Sequence, residues 1–305
     1  MPDLADSQAF WDQEVVRRSH TTWLAHPAIS LYALWQIDPV DGEWPVDWFT
    51  IWLRGRRFRR GLSVGCGAGE FERDLARHKL CERLDAFDAS VASVRLASQA
   101  ATSEELKGVH YFVADFNRCR LPRRTYDAVF FHQSLHHVEN LEGLLREVLD
   151  CLRPGGLLYL DEYIGPSRST WSDDLLIAHR AAFAQIPEKA KVTPQLPLPI
   201  QEDDPSEAIR SDEIMGAVRV GFRIAAARGY GGNILSVLYP NLRPEELTDA
   251  MVSGLIALDR EQVVRDERSY YSVIVARPKR GIARWLASRN YERLEKKRGA
   301  ATLSS

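Results

Sequence analysis

Between Gly61 and Arg168 short apolar runs alternate with longer segments whose apolar positions recur at helical spacing. The runs at 62–65, 84–88, 110–114, 127–132 and 156–162 have the length of buried strands. The segments between them, near 70–79, 90–101 and 140–152, predict helices. The last is the clearest: Leu141, Leu144, Leu145, Val148, Leu149 and Leu152 share one face, and Arg153-Pro154-Gly155-Gly156 follows to stop it. Such alternation predicts an α/β fold, a mostly parallel sheet covered by helices on both faces.

Outside that block the pattern changes. Residues 1–60 hold six of the eight tryptophans (Trp11, Trp23, Trp35, Trp44, Trp48 and Trp52), which predicts an aromatic helical cap. Five prolines between Pro187 and Pro205 predict an extended loop within an insertion over 165–210. Helical spacing returns at 171–186, 211–220 and 244–265, and "SYYSVIVARP" (269–278) alternates like a late strand with "FRIAAARGY" (222–230) as its neighbour. The chain thus divides into a cap (1–60), an alternating strand–helix core (61–164), a lid-like insertion (165–210), the remainder of the sheet with a helical insertion (211–278) and a C-terminal segment (279–305). In the last of these, 281–298 reads as a basic amphipathic helix.

Composition refines this only slightly. With 305 residues, 45% hydrophobic and 27% charged, the chain has the balance of a globular protein with a sizeable core. A net charge of -2 gives no global attraction to nucleic acid or anionic lipid. Cys66, Cys81, Cys119 and Cys151 are spaced 15, 38 and 32 residues apart, which matches neither a zinc pattern nor a dense disulfide framework and suits a reducing compartment. The first ten residues carry acids where a signal peptide has bases, and no apolar run approaches the roughly 18 residues of a bilayer span, so a cytoplasmic protein without a transmembrane segment is expected.

The candidate chemistry starts at "GLSVGCGAGEFERDLA" (61–76), a glycine loop between strand and helix. A P-loop would end in Gly-Lys-Ser/Thr, which is absent. A dinucleotide fingerprint on Gly65 and Gly67 would need a small residue at position 70, where Glu70 stands. What remains is G-x-G-x-G on Gly65, Gly67 and Gly69. Glu70, Glu72 and Asp74 then occupy the first helical turns, where they suit the helix dipole but would repel a pyrophosphate, so a ligand without phosphates is favoured.

"VGCGAGEFERDLA", "AFDAS", "VADF", "YDAVFFHQSLHHV" and "LLREVLDCLRPGGLLYLDEY" together resemble, in order, the motifs of the class I S-adenosylmethionine-dependent methyltransferases, over about residues 60–164. The resemblance implies a doubly wound seven-stranded sheet with a reversed last strand at 269–278. It implies S-adenosyl-L-methionine as cofactor, with Gly65, Gly67 and Gly69 letting the backbone approach its amino-acid and ribose portions. Asp88 would accept from both ribose hydroxyls, Asp115 and Phe116 would meet the adenine, and His132 and Gln133 would lie beside the methionyl part. The alternative for Asp88 is a helix N-cap, and for Asp115 a turn aspartate.

Methyl transfer rests chiefly on alignment, and a base helps where the acceptor is a hydroxyl. His136, His137, Asp161 and Glu162 stand at or beyond strand ends where ligands bind in such sheets. Asp161 and Glu162 point to opposite faces of their strand, so one at most is expected in the pocket, and Glu162 is preferred beside His136 and His137. A metal site on His132 and His136 would require a helix where the pattern gives a strand end, so no metal is expected. The Pro-Cys nucleophile of cytosine-5 methyltransferases is absent, and "HQSL" stands where amino-methylating nucleic-acid enzymes carry an Asn/Asp-Pro-Pro-aromatic clamp. The basic run "RGRRFRR" (54–60) is read as a solvated flank rather than a phosphate site. The expected function is methylation of a small metabolite, a sugar or biosynthetic intermediate, at oxygen or nitrogen. The competing readings are a nucleic-acid or protein methyltransferase and a non-catalytic methyltransferase-like binding module.

Overall fold

A computed structural model describes residues 22–302. Seven strands form one sheet: β1 Phe58–Val64, β2 Cys81–Asp88, β3 Val109–Val113, β4 Tyr126–His132, β5 Leu152–Tyr163, β6 Phe222–Gly229 and β7 Tyr271–Pro278. Their order is β3-β2-β1-β4-β5-β7-β6, with β1 to β5 parallel and β7 antiparallel to both neighbours. The reversed strand at 269–278 and its partner at 222–230 are therefore as expected. Chain order reverses between β1 and β4, so the cleft at their carboxyl ends is the position where such sheets bind ligands.

Alternation along the strands gives the sheet two apolar faces. Phe130, Leu157, Tyr159, Val273 and Val275 point to one face, and Val129, Phe131, Leu158, Leu160, Ile274 and Ala276 to the other. The cap covers the first face. Its helices Pro27–Ile37 and Pro45–Leu53 each carry a proline in the first turn, where a missing N–H costs nothing. Phe49 packs 4.7 Å from Tyr159, centroid to centroid, so the cap shares the core of the sheet. Trp11 lies outside the described residues.

The insertion over 165–210 is built into the same core. Ala182, Phe183, Ile186, Ala190 and Leu196 are buried there, and the helix within it is short, Ile177–Ala184. The lid-like stretch thus shares its core with Leu235 and Leu238. Buried Asp259 ties the cap to this layer, accepting from Tyr32 Oη at 2.9 Å and from the amides of Gly232, Ile234 and Leu235 at 3.1, 2.7 and 3.0 Å.

The C-terminal helix Gly281–Thr302 docks on the second face through Ala287 and Tyr291. Arg284 donates to the carbonyls of Leu149 and Leu152, closing the end of the helix Leu141–Cys151. The basic run lies at the amino ends of the parallel strands, away from the cleft. Arg56 is bonded to the Gly155 carbonyl at 2.8 Å, and Arg60 to Asp85 at 2.8 and 2.6 Å. Among the described residues no helix is long and apolar enough to cross a membrane.

Candidate active site

The glycine loop leaves β1 in a left-handed conformation at Gly65 (φ 72°), Gly67 (φ 49°) and Gly69 (φ 77°). The amides of Gly65 and Cys66 both donate to the Phe87 carbonyl, at 2.9 and 3.0 Å, which folds the loop back on β2. A Cβ at Gly65 would come within 2.5 Å of Ser134 Cβ, so that glycine is needed for packing. One at Gly67 would meet nothing within 4 Å, so that glycine faces open space.

Asp88 ends β2. One carboxylate oxygen accepts from Gly67 N and the other from Ser90 N, both at 2.9 Å. The cap of the following helix is Ser90, whose hydroxyl accepts from Ser93 N at 3.0 Å. Burial pushes the Asp88 carboxyl above its usual range, opposed by those two amides. Asp115 accepts from Asn117 N at 2.8 Å and Phe116 is half-buried against the second core face.

His132 ends β4 with its ring stacked on Phe71 at 4.7 Å and Nδ1 3.1 Å from Asp161. Gln133 follows at φ 49°, an uncommon conformation for a side-chain-bearing residue, held by its N–H and Nε2 donating to the Asp161 carbonyl at 2.8 and 3.2 Å. Tyr230, from the end of β6, donates to Asp161 Oδ1 at 2.7 Å. Sequence reasoning missed Tyr230, because antiparallel pairing through β7 brings it across.

Glu162 is fully buried and its carboxylate is occupied. Oε1 accepts from Ser134 N and Leu135 N at 2.7 and 2.5 Å, and Oε2 lies 2.8 Å from His136 Nδ1. Glu162, expected as a pocket-facing base, here holds the 3-10 turn Leu135–His137 and lies against His136 Nδ1.

That turn brings adjacent residues together, with the His136 and His137 rings 4.2 Å apart. The insertion faces them. Glu207 Oε2 is 3.7 Å from His136 Nε2 and 3.6 Å from His137 Nε2, while His137 Nδ1 lies 3.1 Å from Ser206 Oγ and 3.6 Å from Asp204 Oδ2. Burial disfavours charge on both rings, but Glu207 and Glu162 outweigh it at His136 and lift its pKa to about 9. At His137 burial and the neighbouring His136 charge win, and the pKa falls. No linear signal linked Asp204 and Glu207 to these histidines, since they lie about seventy residues apart in a proline-rich stretch.

Glu72, two residues into the helix after the loop, is buried and accepts from Ser63 Oγ at 2.5 Å, while Oε2 has no hydrogen-bond partner. Burial raises its carboxyl pKa to about 7, opposed by the Ser63 hydroxyl.

Residues 62–160 match the model of the methyltransferase domain. That segment, about a third of the chain, is thus a methyltransferase domain. An uncharacterized methyltransferase of Mycobacterium tuberculosis is 30% identical over 106 residues, 35% of this chain and 51% of the relative. The malonyl-acyl-carrier-protein O-methyltransferase of Enterobacter lignolyticus is 30% identical over 137 residues, 45% and 49% of the two chains. The chain thus spans about half the length of these curated relatives. Among solved structures, geranyl diphosphate C-methyltransferase from Streptomyces coelicolor superposes with a TM-score of 0.54 at 16% identity, covering 90% of this chain and 98% of that one. Phosphoethanolamine N-methyltransferase 2 of Haemonchus contortus gives 0.50 at 17% identity, covering 87% and 59%. At these identities the likeness is one of fold.

Proposed function

We propose that the protein transfers the methyl group of S-adenosylmethionine to an oxygen or nitrogen of a small-molecule acceptor. The observation that carries this reading is the cradle at Gly67. Its missing side chain leaves open space at the switch point, and its N–H is tied to the carboxylate of Asp88. Any Cβ there would project into that space, so a close-fitting ligand explains the glycine.

The donor set fits an adenosyl group. Each Asp88 oxygen accepts one backbone N–H and retains a lone pair for a ribose hydroxyl, which is the stronger kind of hydrogen bond. Asp115 and Phe116 would take the adenine, and the Gly65–Gly69 backbone with His132 and Gln133 the methionyl end. The cofactor supplies a sulfonium methyl group, and alignment of acceptor and methyl at about 3–3.5 Å is worth up to roughly 7–11 kcal/mol of the barrier. We assign His136 and His137 to the acceptor side, positioned by Glu162 from behind and faced by the insertion. The cap and the insertion, both packed on the sheet, favour an enclosed small acceptor over a polymer.

Calorimetric titration tests the reading. S-adenosylmethionine and S-adenosylhomocysteine are expected to bind with NAD silent, and incubation with a metabolite extract should give a product heavier by one methylene. Tighter binding of NAD than of both sulfur compounds would refute it.

A further inference from the structure

Two imidazoles and one carboxylate, from His136, His137 and Glu207, converge beside the candidate site. The pairs His136 Nε2 to Glu207 Oε2 and His137 Nε2 to Glu207 Oε2, at 3.7 and 3.6 Å, are longer than hydrogen bonds. They lie close to the ~3.4 Å separation of two ligand atoms each ~2.1 Å from one tetrahedral ion. Each histidine also has its other nitrogen engaged from behind. His136 Nδ1 meets Glu162 Oε2 at 2.8 Å, and His137 Nδ1 meets Ser206 Oγ at 3.1 Å. Ser206 in turn donates to Asp204 Oδ1 at 2.7 Å. Metal-binding histidines are commonly fixed in tautomer and direction in this way, Nδ1–H being given to a carboxylate or hydroxyl while Nε2 points to the ion.

We propose that His136 Nε2, His137 Nε2 and Glu207 Oε2 form a binding site for one first-row transition-metal dication, with a remaining position for an oxygen of the methyl acceptor. One ligand atom from each of the three residues lies within 4.8 Å of the other two. Two imidazoles and a carboxylate suit zinc or iron(II) rather than magnesium or calcium, which prefer all-oxygen shells. Charge points the same way, since three carboxyl groups (Glu162, Asp204 and Glu207) surround two imidazoles, and two of the three are fully buried. Asp204 Oδ2 has no hydrogen-bond partner although Asp204 is wholly buried, 3.6 Å from His137 Nδ1. A small movement of that ring on binding an ion would satisfy it. Glu207, 31% exposed, is the member that solvent reaches, so an incoming ion and an oxygen ligand have access on its side. The acceptor class that fits is a hydroxyl- or carboxylate-bearing small molecule. Only that last step rests on the methyl-transfer reading.

The test uses the full chain stripped with a chelator and passed into metal-free buffer. Titration with Zn2+ should show one site per chain, and Co2+ should give the visible absorption of a low-coordinate nitrogen and oxygen site. Glu207→Gln, at a partly exposed position, and His137→Gln should each weaken Zn2+ binding at least tenfold while S-adenosylhomocysteine affinity stays within about threefold. No Zn2+ binding by the unmodified chain would overturn the proposal, as would undiminished binding in a folded Glu207→Gln variant. If Zn2+ binds but neither sulfur compound does, the metal site stands and the methyl-transfer reading falls. Binding of the sulfur compounds without Zn2+ has the reverse meaning.

Discussion

Glu72 is a carboxyl group sealed in the core beside the glycine loop, and its replacement by glutamine isolates what that burial costs as a function of pH. With a pKa near 7 in the folded chain and 4.5 as its ordinary value, the folded state holds a proton that the unfolded chain releases between those values. Stability therefore falls as pH rises through the window of about 4.5 to 7 and levels off above it. From pH 5 to pH 8 the two pKa values give a loss of about 2.5 kcal/mol from this one group, using 1.36 kcal/mol per pKa unit. Glutamine cannot ionise, so Glu72→Gln removes the slope. It also puts an N–H where Oε2 has no partner, which costs roughly 1–3 kcal/mol at every pH. The quantity to follow is consequently the difference between the two proteins and how it changes, not its absolute sign. Urea unfolding at pH 5, 6, 7 and 8 should show the variant gaining about 2–3 kcal/mol on the parent across the series. A difference that stays flat would mean that the buried carboxyl titrates normally, and the assignment of Glu72 as a proton-holding group in the loop support would be wrong.

Asp88→Ala should weaken S-adenosylhomocysteine binding at least tenfold by calorimetry, because charge-assisted hydrogen bonds worth about 1.5–3 kcal/mol each are lost; unchanged affinity in a folded variant would leave Asp88 as a brace for the loop alone. Gly67→Ala adds only a Cβ, which points into open space but is strained at φ 49° by roughly 1–3 kcal/mol, so the fold should survive with a loss of that order while the sulfur compounds bind at least tenfold more weakly. Arg210→Met strips a buried guanidinium from Glu142, bonded at 2.8 and 2.7 Å, and from Glu213, and should cost about 3–5 kcal/mol in urea unfolding.

The strands were legible in the sequence because each is a short apolar run between glycines, prolines or polar turns, and the helix Leu141–Cys151 because its leucines keep one face. The expected helix at 171–186 shrank to Ile177–Ala184, since the residues before it form turns whose contacts are tertiary. The cap was visible as tryptophans, but nothing in their spacing said that Phe49 would stack into the sheet. The tail was legible as a helix but not as a docked one, because Ala287 and Tyr291 are sparse among its charges. Within the candidate site, the glycines stood out in the local pattern, whereas Asp88 was singled out only by the resemblance in motif order. Glu162 could not be, because its orientation depends on the amides of Ser134 and Leu135 turning toward it. Asp204 and Glu207 depend on how the insertion folds back, and no local spacing encodes that.

Within the insertion, the segment 192–203 is sparsely packed between two anchors. At one end Lys191 bridges to Leu242, and at the other the Ile209 amide donates to the His136 carbonyl while Arg210 locks onto Glu142. Between these anchors, residues 192–203 bury only Leu196. A stretch so held can change in length and composition without disturbing the sheet, the glycine loop or the histidine pair. It is therefore the natural cassette for exchange: swapping it between relatives, or randomising it in a library, should redirect acceptor preference while the rest of the chemistry is inherited intact.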